Sequence, residues 1–264
     1  MKKTLVALSV LLIMAGLLAG CGEQAPTSTL DKIKQAGKVV VGTSADYPPY
    51  EYVDETGNYT GFDIELMTEI AKRMGVSLEW VDMPFDSLIA AVQEGKIDMS
   101  ISCFNYSEER DQQVDFSDPY YTSQDAFLVA EGFTGTITDP AEIVQYKIGV
   151  QSGTVQDDWV TTELIETGLM PESKLSRYER VDQAALDLQA GRIDVLVADS
   201  VPAQALIKQF GGFKIVYEVQ LYTGPINIVL PEGDKALRDE VNKIIKQLQD
   251  EGFIDQLAVK YFSE

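Results

Sequence analysis

Apolar residues recur along this chain with two periods, and one combination of the two is written twice. Leu88 to Ser102 (LIAAVQEGKIDMSIS) and Ala185 to Asp199 (ALDLQAGRIDVLVAD) each pass from helical apolar spacing through Gly, a basic residue and Ile-Asp into a short β-rich run. Before each copy lies another β-rich run that empties into small polar residues, KVVVGTS (Lys38 to Ser44) and KIGVQSGT (Lys147 to Thr154). The pattern predicts two α/β units of similar plan, with ligand contacts where strand ends open into polar loops. The expected site is therefore a cleft between two lobes.

Between the repeats the periodicity names further elements. Gly61 to Gly75 places Phe62, Leu66, Met67, Ile70, Ala71 and Met74 on one face of a helix, with Asp63 and Glu65 near its N-terminal end and Gly75 as its stop. Ser77 to Asp82 reads as a strand and Asp86 to Glu94 as a helix. Helices are also expected over Thr154 to Thr167, Asp182 to Ala190, Asp234 to Asp250 and Phe253 to Tyr261. Alternating strands and helices predict mostly parallel sheets covered by helices. Two extended segments, Ser117 to Val129 and Tyr222 to Leu230, are placed to cross between the units. The expected division is then residues 31–123 with 224–264 as lobe 1, and residues 124–223 as lobe 2.

The start of the chain follows a different pattern. Lys2 and Lys3 precede an apolar run from Leu5 to Leu18, followed by Ala19-Gly20-Cys21. This describes a signal peptide over residues 1–20, since the run is shorter than the ~20 residues of a membrane span. Residues 21–30 read as an anchoring Cys and a flexible tether. Removing Lys2 and Lys3 takes the formal charge from −21 to −23, which opposes binding to nucleic acid. Hydrophobic residues make up 45%, so the acidity belongs to a solvated surface and not to disorder. Cys21 and Cys103 are the two cysteines and histidine is absent. No disulfide framework, metal or other cofactor is implied, and the usual general base is missing.

Three polar positions stand out. Ser107 reads as an N-cap, which puts Arg110 in a first helical turn where acids belong. Such a guanidinium either pairs with Asp111 or Asp115 at the surface or forms a fork for a carboxylate. Thr154 opens a helix directly after a strand, as an ordinary cap or as part of an anion site. Asp199 ends the second repeat's strand, where it either caps the next helix or receives an ammonium. Tyr47, Tyr50, Tyr52, Phe85, Phe104 and Tyr106 gather near turn residues of the first unit, as core or as ligand walls.

Taken together, the motifs GTSADYPPYEY, GFDIELMTEIAKRMG, FDSLIAAVQEGKID, SEERDQQVDFSDPYY, IGVQSGT and AGRIDVLVAD resemble the extracytoplasmic solute-binding proteins of family 3, the polar amino-acid receptors of ABC importers. The resemblance spans Leu30 to Glu264. It implies a two-lobed, periplasmic-binding-protein-like (type II) α/β fold. By the same resemblance Leu-Ala-Gly-Cys21 is a lipobox, with Cys21 the lipidated residue that tethers the chain outside the cell membrane. It gives Arg110 the ligand carboxylate, helped by Cys103, Asn105, Thr154 and Val155, and gives Asp199 the ammonium. Tyr47 and Phe85 become walls around the ligand side chain, with Tyr50 behind them. Ser44 stands where many members carry an Asp that touches that side chain.

The implied role is a monomeric receptor that captures an amino acid and hands it to an ABC permease with its ATPase. A dehydratase-like cleft enzyme and a receptor for a chemosensory partner are the alternatives; the sequence shows no carboxylate pair spaced for catalysis. With Ser44 uncharged and no second cation among the matched positions, a neutral ligand such as glutamine is expected. A basic amino acid takes its place if Asp46 or Glu51 turns inward.

Overall fold

A computed structural model describes residues 28–222 and 224–263; the expected signal peptide and Cys21 lie outside them. The tether stops earlier than residue 30. Ser28 accepts the Asp31 N–H and caps a helix over Thr29–Ala36, so its hydroxyl satisfies one of the free donors of the first turn. Among the described residues no helix is long and apolar enough to cross a membrane.

The duplicated phrase has a packing explanation. In lobe 1, β1 (Lys38–Thr43) is followed by β2 (Asp46–Tyr47), β3 (Glu51–Val53), β4 (Tyr59–Thr60), β5 (Ser77–Asp82), β6 (Met99–Asn105), β7 (Asp115–Phe116) and β8 (Tyr121–Thr122). In the second unit come β9 (Asp125–Ala130), β10 (Ile148–Gln151), β11 (Leu175–Tyr178), β12 (Val195–Asp199) and β13 (Phe213–Val219), and β14 (Pro225–Leu230) returns to the first. The repeats end in β6 and β12, which pair in parallel with β1 and β10. In each copy the Ile of Ile-Asp covers a strand glycine: a Cβ on Gly42 would lie 2.4 Å from Ile97 Cδ1, and one on Gly149 2.4 Å from Ile193 Cδ1. The Asp beside it ties down the neighbouring strand, Asp98 accepting the Val40 N–H and Asp194 the Lys147 N–H, both at 2.8 Å. Gly-basic-Ile-Asp is thus one joint, used once per lobe.

The larger sheet has the order β5-β1-β6-β14-β7, with β8 beside β14, and the second has β11-β10-β12-β9-β13. Neither is mostly parallel. β14 is antiparallel to β6, and β9 is antiparallel to both β12 and β13. The physical reason is the crossing: β9 and β14 follow the two segments that change lobes, and each enters its new sheet from the cleft side, against the strands already there.

The Gly61–Gly75 pattern forms a helix over Phe62–Met74 with all six predicted apolar residues buried. Its N-terminus is closed by the preceding hairpin, the Pro49 and Tyr50 carbonyls accepting the Phe62 and Asp63 N–H groups. Gly61 permits that approach: its φ is 128°, and a Cβ there would sit 2.2 Å from the Tyr50 carbonyl oxygen. One consequence was not legible in the pattern. Asp63, a dipole-favoured first-turn acid, is wholly buried under the hairpin.

Candidate functional site

Between the two sheets lies a narrow cavity of about 10 Å³. One end is built around Arg110. Ser107 caps the short helix Glu108–Asp111 by accepting the Arg110 N–H, which turns the side chain back under the end of β6. The guanidinium donates to the Asn105 carbonyl at 2.9 Å and, from the other lobe, the Gly153 carbonyl at 2.7 Å. It also lies 5.7 Å from the ring centres of both Phe85 and Phe104, which stack on each other. Among the described residues no carboxylate closes an ion pair with it, and Arg110 is 6% exposed. Burial draws its pKa down, but an arginine stays protonated. A surface pair with Asp111 or Asp115 is not what this side chain makes; Asp115 pairs with Arg238.

Thr154 faces Arg110 from lobe 2. It caps the helix Val155–Trp159, which continues as a wider turn over Val160–Ile165, and both Thr154 and Val155 line the cavity. The first-turn N–H groups of such a helix lack carbonyls four residues back and favour negative charge. Cys103 and Asn105 complete this wall from β6. The Cys103 backbone, at φ 48°, donates its N–H to Asp63, and burial pushes the thiol pKa well up.

The opposite end holds Asp199. It stands at the N-cap position of the helix Ser200–Phe210 but makes no side-chain cap bond. Its carboxylate is turned into the cleft instead, where Oδ2 accepts the Tyr47 hydroxyl at 2.7 Å and the Gln156 amide at 3.2 Å. Oδ1 is buried without a donor; the neighbouring Ser123 hydroxyl donates to the Gln124 carbonyl. Burial raises the Asp199 pKa, partly offset by these hydrogen bonds. The Tyr47 oxygen also accepts the Asp199 N–H, so a lobe 1 side chain grips both faces of a lobe 2 residue.

Tyr47 and Phe85 line the space between the two ends, and Ser44 lies beside them, its hydroxyl bonded to Asp46. Tyr50 stands elsewhere. It is fully buried in the lobe 1 core against Phe62 and Phe262, outside the cavity lining. Ser102, Gln151 and the side chain of Gln156 escaped sequence reading, and Glu51 was named there only on the condition that it turn inward. Glu51 had a usable signal, since a two-strand hairpin pairs it with Tyr47 and puts both on one face. Gln156 was hidden because a polar first-turn residue is ordinary. Asp46 does not enter the lining; it bridges the lobes, accepting the Val181 N–H at 2.6 Å and the Gln151 amide at 3.2 Å, with Arg180 nearby. Among the described residues no acid or thiol cluster is arranged to hold a metal.

Residues 39–264 match the model of the bacterial extracellular solute-binding proteins, family 3. The chain belongs to this family. It is 31% identical to the L-arginine-binding protein of Pseudomonas aeruginosa, over 96% of both chains. It is 32% identical to an arginine-binding extracellular protein of Bacillus subtilis, over 100% of this chain and 99% of that one. An ancestral arginine-binding protein solved with arginine is 35% identical and superposes with a TM-score of 0.80, covering 86% of this chain and 99% of the other; the same kind of protein has also been solved with glutamine. A family of this kind accounts for two sheets facing each other across a polar cleft, a plan that serves binding by closure.

Proposed function

We propose that this protein is an extracytoplasmic receptor that closes its two lobes on one amino acid and delivers it to an ABC permease with its ATPase. The observation that carries this reading is the pairing of opposite charges across one buried cavity. Arg110 on lobe 1 lacks a carboxylate and Asp199 on lobe 2 lacks a cation, and the two stand at opposite ends of the same space. An α-amino acid supplies what both lack. Its carboxylate would take the Arg110 fork and the Thr154 and Val155 amides, with Cys103 and Asn105 alongside, and its ammonium would take Asp199. Ser44, Tyr47 and Phe85 would then flank the side chain, and Tyr50 would support the wall from the core.

Glu51 is turned inward, and this moves the ligand preference from glutamine towards a cationic amino acid. A guanidinium or ammonium entering the cavity needs a carboxylate to replace its lost hydration, and Glu51 offers one where Ser44 cannot. Relatives named for arginine support the same choice. We take lobe 1 as residues 31–123 and 224–264, lobe 2 as 124–223, and the protein as a monomer held outside the membrane by lipid on Cys21. The experiment is a thermal-shift screen of the common amino acids followed by calorimetry. Ligand at ~100 times its Kd should stabilise the fold by ~2.7 kcal/mol, and basic amino acids should give the largest shift. A flat screen would sink the receptor reading.

The cleft-enzyme alternative has one observation in its favour, the Glu51–Asp63 pair of carboxyl groups beside the cavity. We nevertheless read the chain as a binding protein. Calorimetric binding of an amino acid with no product formed from prephenate or arogenate would support that choice.

A further inference from the structure

Behind the cleft wall two acids meet with no cation to separate them. Glu51 is 1% exposed on β3 and lines the cavity; Asp63, wholly buried, lies directly behind it. Glu51 Oε1 accepts the Ser102 hydroxyl at 2.9 Å. Asp63 Oδ2 accepts the Cys103 N–H at 2.8 Å and the Tyr120 hydroxyl at 2.9 Å. That leaves Glu51 Oε2 and Asp63 Oδ1 buried without any donor. Adjacent anchors bring the two carboxyl groups together: Ser102 holds Glu51 and Cys103 holds Asp63, while the carbonyl of Tyr50, next to Glu51, accepts the Asp63 N–H. Two carboxylates are acceptors only and cannot bond to each other, so the contact requires a proton. Asp63 has two donors to stabilise its charge and Glu51 has one neutral hydroxyl. The proton therefore belongs on Glu51.

We infer that Glu51 and Asp63 share one proton at the wall of the amino-acid pocket, and that a cationic ligand side chain expels it while a neutral one leaves it in place. This rests on the receptor reading and deepens it: ligand selectivity becomes a function of pH. With the proton present the pair carries one negative charge, held on Asp63, and Glu51 presents a neutral acid that suits an amide. When a guanidinium enters, Glu51 loses its proton to solvent and becomes the carboxylate of a charge-assisted pair. Asp63 touches no ligand; it is a positioning residue that raises the cost of ionising Glu51.

The surrounding groups leave this titration distinct. Burial and the charge of Asp63 push Glu51 well above the usual carboxylate range, while Asp63 is pushed up to about 7 by burial against its hydrogen bonds. Asp46 on the hairpin adds a further upward push to Glu51. Tyr47, Tyr50, Tyr120 and Cys103, which face the pair from the hairpin, the crossing segment and β6, are all shifted upward and stay neutral. Arg110 stays charged. Asp199, also raised, would meet the ammonium of every amino acid alike, so a neutral ligand measures its contribution separately.

The test is calorimetry of the full folded domain with L-arginine and with L-glutamine from about pH 7, above which Asp63 is ionised, to about pH 9, in buffers of different ionisation enthalpy. Arginine affinity should rise with pH, approaching tenfold per unit, with close to one proton released per arginine bound. Glutamine affinity should follow only the Asp199 contribution, without the further proton that arginine releases. Glu51→Gln, checked for folding by circular dichroism, should abolish the arginine slope and weaken arginine at least tenfold. Asp63→Asn should keep glutamine binding and move the arginine slope to lower pH, a change that a purely structural role for Asp63 does not produce. Arginine binding that is flat in pH with no proton release overturns the inference, as does a slope that survives in Glu51→Gln. Tight binding of glutamine beside a flat arginine profile leaves the receptor reading standing while this one falls. Binding of neither ligand overturns both.

Discussion

Arg110 and Asp199 show how a single side chain can be read by the bond it fails to make. Arg110 sits in a helical turn that prefers acids and finds no acid; Asp199 sits at an N-cap and does not cap. Each is buried, and each is satisfied only in part by neutral groups. Removing one member of the proposed clamp leaves the ligand's matching charge desolvated and unpaired, a cost of ~3–5 kcal/mol, or two to four decades of affinity. Arg110→Ala and Asp199→Asn should therefore abolish binding at micromolar ligand while circular dichroism stays native. Calorimetry checks this, and near-unchanged affinity in either variant would remove that residue from the site. Arg110 was legible as an anomaly in the sequence, and Asp199 as either a helix cap or an ammonium site. Tyr50 was not separable from Tyr47 there, because aromatic residues three apart in a turn-rich segment carry no sign of which one faces the cleft.

Among the elements, the Gly-basic-Ile-Asp joint fixes how each repeat's helix sits on its sheet. A methyl group on Gly149 has to displace Ile193 Cδ1, which is buried and held by its neighbours. Gly149→Ala should cost ~1–3 kcal/mol by overpacking. Ile193→Val removes the colliding carbon, so the double variant should recover part of that loss, whereas Ile97→Val in the other lobe should recover none. Urea denaturation of the wild type, the three single variants and the two double variants measures the coupling. Equal behaviour of the near and distant valine would show that the joint is not the cause. This joint was legible as a repeated phrase, but its reason was not: only the fold shows the isoleucine lying over a glycine of the neighbouring strand.

The whole molecule is governed by closure and by charge. Arg180 of lobe 2 pairs with Asp82 at 2.9 Å and approaches Asp46 at 3.5 Å, both in lobe 1 and both outside the ligand cavity. These partly exposed contacts are worth less than ~1 kcal/mol. Arg180→Ala should accordingly weaken binding only about two- to fivefold, by populating the open form, and small-angle scattering should show a larger ligand-free particle. A loss of a hundredfold would mean that Arg180 acts on the ligand itself.

Stability should also depend on pH in an unusual direction. Glu51 and Asp63 have raised folded-state pKa values, so their contribution is present below the unfolded carboxylate range and is lost as pH rises to about 7 and beyond. A formal charge of −21 adds self-repulsion over the same range. Exposed carboxylates with lowered pKa, such as Glu142 and Glu251, offset little. The ligand-free melting temperature should rise on acidification from about pH 8 to about pH 5, and Glu51→Gln should flatten that rise. Calorimetric melts showing a fall over this interval would contradict the assignment.

The sequence by itself determined most of the longer helices, the strands β1, β5, β6, β10 and β12, the two-unit plan and the strand ends at which polar residues collect. It could do so because burial of one face imposes a period of 3.6 or 2 on the apolar residues, and that period is local. Tertiary structure alone decided the sheet directions, the inward turn of Glu51 and its meeting with Asp63. These depend on where the crossing segments enter and on how the hairpin lies over the Phe62–Met74 helix. Asp63 read only as a first-turn acid that suits the helix dipole, and no local period reveals that another element covers it. Which buried polar groups face one another is set by contacts between distant elements, and a one-dimensional pattern of burial does not carry that information.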